Sequence, residues 1–160
     1  MMESFKTRIT RWVLNFNPTY RGTGGWITYL ADDWHEVHVK VGLNWRTRNI
    51  MGSIFGGSLY GAVDPVYMIM LNKLLGREYI VWDEAAAIQF KKAARSTLHA
   101  RFTIDDKELE TIKSELTHER ALHRVYQIDL AGRDGVVYTS VEKTIYIRPR
   151  NLSAAAKPPE

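Results

Sequence analysis

The 160-residue chain is 45% hydrophobic and 25% charged, with five Trp, eight Tyr and five Phe; this suits one folded domain and excludes a disordered or fibrous chain. It has no Cys, which removes disulfide scaffolds, Cys-ligated metal sites and thiol nucleophiles, and makes a reducing, cytoplasmic setting the expected one. Twenty-two Lys and Arg against 18 Asp and Glu leave a net charge of +4, which favours an anionic ligand, yet no basic run interleaved with aromatics marks a nucleic-acid site.

The opening residues, MMESFKTRIT, lack the apolar core of a secretory signal and read as mature protein. Phe5, Ile9, Trp12, Val13 and Phe16 recur at helical spacing, predicting an amphipathic helix that Asn17-Pro18 ends. Its apolar stripe is expected in the core or in a subunit contact. After the turn Gly22 to Gly25, residues 26–30 and 35–41 read as two strands joined by the acidic turn Asp32-Asp33. Further strands are expected over 79–90, 97–104, 122–130 and 136–147, with a short amphipathic helix over 105–119 carrying Leu109, Ile112 and Leu116. Gly132 to Gly135 reads as a hairpin turn. Residues 148–160 read as a flexible tail, residues 1–23 as an N-terminal helix and turn, and 24–147 as the domain proper. This order predicts an α+β fold with an antiparallel sheet.

Between the second and third strands, Ile50 to Leu71 contains no Lys, Arg or Glu and one acidic residue, Asp64. The run is long enough to span a bilayer, but Asp64, Pro65 and six Gly or Ser positions oppose that. A central helix wrapped by the sheet is the simpler expectation. A carboxylate in apolar surroundings is a candidate acid, base or nucleophile. Two readings of Asp64 stay open: it is such a group, or it caps a helix starting at Pro65. If the helix starts near Gly56-Gly57 instead, Pro65 must kink it.

The run Asn49-Ile50-Met51-Gly52-Ser53-Ile54-Phe55-Gly56-Gly57, followed by Asp64, resembles the hotdog-fold acyl-CoA thioesterases of the phenylacetate-pathway type and, more closely, a related bacterial branch of unknown function (DUF4442-like). In that superfamily an Asn precedes a His-Gly-Gly turn, the glycines open a long central helix, and an acidic residue follows just over two turns later. Asn49, Gly56, Gly57 and Asp64 match that spacing, whereas Phe55 stands where many relatives carry His. The resemblance covers roughly residues 24–147 and implies a hotdog fold, a homo-oligomer (a dimer or a dimer of dimers) and hydrolysis of acyl-CoA. It implies no cofactor beyond the coenzyme A of the substrate.

Thioester hydrolysis needs a polarised carbonyl and a delivered nucleophile. Open N–H groups at a helix start, here Gly56 and Gly57, supply the first, and the carboxylate of Asp64 supplies the second as general base or nucleophile. The resemblance implies that the acid and the helix start belong to opposite subunits. Asn49 would orient substrate or water, or it caps the turn before the helix. Lys91, Lys92 and Arg95, at a strand end where the family often contacts CoA, are candidate phosphate partners, or plain solvated charges. Phe55, with Gly56, is expected at the substrate, and Tyr60, Tyr67 and Phe90 are candidates to flank the acyl chain or to be core. No His pair has metal-ligand spacing, and neither a phosphate-binding loop nor a serine elbow is present. The alternative function is a non-catalytic acyl-CoA or fatty-acyl binding protein on the same fold.

Overall fold

The computed structural model describes residues 3–150. Two helices, α1 (Phe5–Phe16) and α2 (Pro18–Thr23), precede the hairpin β1 (Gly25–Leu30) and β2 (Glu36–Val41). The apolar run then forms α3 (Gly56–Val63) and α4 (Val66–Leu75). There follow β3 (Tyr79–Phe90), β4 (Leu98–Thr103), α5 (Asp106–Glu115), β5 (Leu122–Ala131) and β6 (Val137–Pro149). The six strands make one antiparallel sheet in the order β1-β2-β4-β5-β6-β3.

Alternation along the strands sends one face of this sheet onto α3 and α4. Val39, Val41, Leu98, Phe102, Ile128, Leu130, Val141, Ile145 and Ile147 from the strands are buried together with Leu59, Ala62, Val63, Met70 and Leu71 from the helices. A sheet closed over an apolar helical segment is the hotdog architecture. No helix among the described residues is long and apolar enough to cross a membrane.

Four details depart from the sequence expectation. First, the central helix is two: Pro65 has no N–H to continue the ladder, so the axis breaks at Asp64-Pro65 and restarts where Ile69 N–H donates to the Pro65 carbonyl. Second, the chain after Asn17 turns directly into α2, because Asn17 caps it through the Thr19 amide and Pro18 supplies the pre-set first residue. Third, β6 continues through Arg148 to Pro149, pairing with Ile80 and Tyr79; the rest of the expected tail, residues 151–160, lies outside the described residues. Fourth, α1 lies with its polar face inward. Thr7 and Asn15 are buried, while Phe5, Ile9, Trp12, Val13 and Phe16 are exposed, which removes the core as the destination of that stripe.

Asn15 explains the orientation. Its side-chain amide donates to the Ile27 carbonyl at 2.9 Å and accepts from the Ile27 amide at 2.7 Å. It thereby imitates a neighbouring strand at Ile27 and fixes α1 along the outer edge of β1. At the other margin, β3 pairs only with β6 and presents twelve residues along an open edge.

Gly25 sets how closely β1 approaches the central helix. A Cβ there would stand 2.6 Å from the Ala62 Cβ and 2.9 Å from its Cα. Gly25→Ala should therefore lower stability by about 1–3 kcal/mol, and adding Ala62→Gly should recover none or only a small part of it, because the Ala62 Cα and the Tyr20 hydroxyl still crowd the new Cβ and a glycine inside α3 has its own cost. Urea unfolding of the two variants checks this.

Candidate active site

The centre of the candidate site is built from β6. Val141, Lys143, Ile145 and Ile147 share its inward face, and all four side chains are essentially buried. A buried ammonium is costly without anionic partners. Lys143 Nζ lies 2.6 Å from Asp64 Oδ1 and 3.1 Å from Asp83 Oδ1, and donates to Tyr60 Oη at 3.4 Å. It also sits over the Tyr60 ring, 5.4 Å from its centroid.

Each partner is placed by local structure. Tyr60 and Asp64 are one helical turn apart and share a face of the helix. Asp83 follows Val81 on the inward phase of β3, just before a register shift between Asp83 and Ala85 that re-aims the strand. Burial alone would push the Lys143 ammonium towards neutrality, but Asp64 and then Asp83 outweigh it and hold it above its ordinary value. Burial pushes the Asp83 carboxyl up, against the pull of Lys143. The Tyr60 hydroxyl is raised by burial and by its acidic neighbour Asp64.

Of the two readings of Asp64, the helix cap is excluded. No side chain caps α4, and the Asp64 carboxylate is bound by Lys143 and 38% exposed. Asp64 and Pro65 also form part of the wall of an apolar cavity of about 370 Å³. Its other walls include Leu14 and Tyr20 from the N-terminal helices, Ile27 and Leu30 from β1, and Ile69 and Met70 from α4. A cavity of this size falls within the range of small-molecule sites.

At the opposite end of α3 the amides of Ser58 and Leu59 both donate to the Phe55 carbonyl. Gly56 and Gly57 therefore stand ahead of the first helical hydrogen bonds, where a helix leaves its N–H groups open. The approach to them is not bare, however. A Cβ on Gly57 would meet the Phe55 ring at 2.3 Å, and one on Gly56 the Phe90 ring at 2.8 Å. Both rings are 57% exposed. Phe55 thus stands over the turn where a histidine was expected from the family pattern.

The Asn49 side chain is engaged in its own turn. Its Oδ1 accepts from the Met51 and Ser53 amides, and its Nδ2 donates to Ser53 Oγ at 3.0 Å. Lys91 and Lys92 have exposed side chains, and their amides donate to the Tyr138 carbonyl. Arg95 is exposed too, and beside it the Ala94 carbonyl accepts from Ile54 N–H. The three cations therefore flank the Phe55-Gly56-Gly57 turn. Tyr67 belongs to the core, stacked on Tyr126.

The structure thus brings Gly56 and Gly57 together with Phe55, Lys91, Lys92 and Arg95, and places Asp64 elsewhere. Seven residues of helix separate Gly57 from Asp64, on one face but about 10 Å apart along the axis. One reacting carbon must lie about 3 Å from both the nucleophile and the oxyanion donors, so these two groups of one copy cannot serve the same carbonyl. Lys143 and Asp83 are the members that the sequence reading missed. The signal was the alternation Val141-x-Lys143-x-Ile145-x-Ile147, which puts a lysine on an apolar strand face.

Residues 6–147 match the family described as Domain of unknown function (DUF4442). No curated protein is matched. Among solved structures, a Pseudomonas aeruginosa protein of unknown function, titled a probable thioesterase, aligns with a TM-score of 0.78 at 13% identity, covering 89% of this chain and 95% of that one. A Haemophilus influenzae thioesterase aligns at 0.67 and 14%, covering 92% and 93%. A mutant thioesterase of Pseudomonas aeruginosa aligns at 0.66 and 14%, covering 93% and 96%. At such identities the likeness is one of fold.

Proposed function

The chain belongs to the DUF4442 family, and from that membership and the geometry of Asp64 we propose that it hydrolyses acyl-CoA thioesters at a site shared by two copies. The observation that carries the reading is Asp64, a residue of the wall of an apolar cavity whose carboxylate is partly exposed and fixed by a buried lysine. Asp64 acts on the thioester carbon, either by taking the proton of an attacking water or by attacking itself. The open amides of Gly56-Gly57 stabilise the oxyanion; on its collapse the C–S bond breaks and coenzyme A leaves, its thiolate taking the proton drawn from water, and where Asp64 itself attacked, water then cleaves the acyl anhydride and frees the carboxylate. No cofactor is needed beyond the coenzyme A that the substrate carries.

The separation of Asp64 from Gly57 within one copy favours a site completed by a second. The open β3 edge is a place for that copy to pair, which makes the protein a dimer or a dimer of dimers. Lys91, Lys92 and Arg95 then serve the CoA phosphates, Asn49 holds the turn that positions the helix start, and Phe55 flanks the acyl thioester.

The test is release of free thiol from a panel of acyl-CoAs, together with complementation. Asp64→Asn and Gly57→Val should each be inactive, and mixed oligomers of the two should regain a fraction of the wild-type rate. Wild-type turnover without complementation would place the two groups in separate sites. The Phe55 ring over Gly57 specifically favours a second reading, a non-catalytic acyl-CoA binding protein; tight binding without thiol release would establish it.

A further inference from the structure

We propose that α1 is an interfacial helix that seats the protein on an anionic lipid bilayer. Its five apolar residues fall, at about 100° per residue, within an arc of about 100°, and all five are exposed, from 46% at Trp12 to 75% at Phe5. The opposite face, polar apart from Leu14, is the one docked on the protein. Asn15 is hydrogen-bonded to Ile27, the Arg11 guanidinium is paired with Glu3 at 2.7 Å, and the Thr7 hydroxyl donates to Asp32. A soluble helix normally buries the face that this one presents to water.

The surroundings select the occupant. Lys6 and Arg8 border the apolar arc on its two sides, both exposed. Trp12 stacks on Phe16 with ring centroids 5.3 Å apart, and Trp26 of β1 meets both edge-on. The Arg21 guanidinium sits over Phe16 at 5.4 Å. Arg11 is paired with Glu3, and Asp32 is held by Ser4 and Thr7 on the docked face, so the cations that border the apolar stripe itself are Lys6, Arg8 and Arg21. An aromatic stripe with cations on both borders is the composition of a helix lying in the headgroup layer. A second copy of the same face would bring like charges together, whereas anionic headgroups are complementary to them. This inference stands apart from the hydrolysis reading, since it uses none of the candidate site's residues.

Flotation of the full-length protein with vesicles tests it without any turnover. Binding is expected to phosphatidylcholine vesicles containing a quarter phosphatidylglycerol, little to pure phosphatidylcholine, and less at high salt. Lys6→Gln with Arg8→Gln should weaken binding on the order of thirtyfold, and Trp12→Glu with Phe16→Glu should abolish it. All four residues are exposed, so unchanged circular dichroism and melting will show that the variants fold. The inference is overturned if the native protein ignores the anionic vesicles. It is equally overturned if Trp12→Glu with Phe16→Glu splits an oligomer on sedimentation, which would mean that a second copy covers the stripe.

Discussion

Asp64→Asn is expected to reduce acyl-CoA hydrolysis by roughly 10²- to 10⁴-fold, the range a positioned acid or base contributes. The amide keeps the size of the carboxylate and an oxygen that Lys143 Nζ, 2.6 Å away in the native protein, can still reach. The fold and the oligomer should therefore survive, and the loss should appear in kcat rather than in KM. Free-thiol release under saturating acyl-CoA measures it, with sedimentation confirming the assembly. Undiminished hydrolysis in Asp64→Asn would remove Asp64 from the mechanism.

The second large effect is on stability. Lys143→Met keeps the length of the side chain but leaves Asp64 and Asp83 facing each other without their cation. Removing one partner from a buried pair costs about 3–5 kcal/mol; because Asp64 is partly solvated, about 3 kcal/mol is the expected loss in urea unfolding. The pH dependence identifies its source. Lys143 is held above its ordinary value, so its stabilising contribution is fully present below the unfolded-state value near 10.4 and disappears as pH rises through the folded value. Asp83 is raised by burial, so its ionisation opposes folding above the unfolded carboxylate range and protonation relieves that opposition. The wild type should accordingly lose stability above about pH 10. Lys143→Met should show a smaller alkaline loss, the remainder coming from the Tyr20, Tyr67 and Tyr126 hydroxyls that burial raises, and should regain part of its stability in mild acid, where Asp83 takes up a proton. A variant equally weak at every pH would show that the deficit is one of packing.

The strands were legible because they alternate. Tyr79–Phe90 forms β3 over the expected residues, and the other five fall within about two residues of their expected ends. The helix start at Gly56-Gly57 came from the resemblance, since the residues alone left a start at Pro65 open, whereas Asp64 stood out as the one acidic residue of its apolar run. Lys143 was missed, because Glu142 and Lys143 stand side by side in β6 and the core one is told from the solvated one only through its phase with Val141, Ile145 and Ile147. Asp83 was hidden in the same way beside exposed Trp82 and Glu84. The orientation of α1 was also beyond periodicity. An apolar stripe shows that a helix has two faces, and which one meets the protein was decided here by Asn15 and its two bonds to Ile27, a contact across twelve residues of sequence.

That same asparagine has a consequence for assembly. A sheet whose two margins are both open can add neighbours without end, as fibrils do. This sheet is stoppered on the β1 side and open on the β3 side. Copies that join by strand pairing can meet only open margin to open margin, and the product then has a stopper at each end. Growth by that route ends at two, so the helix laid along one margin and fixed there through Asn15 separates a counted assembly from an unbounded one.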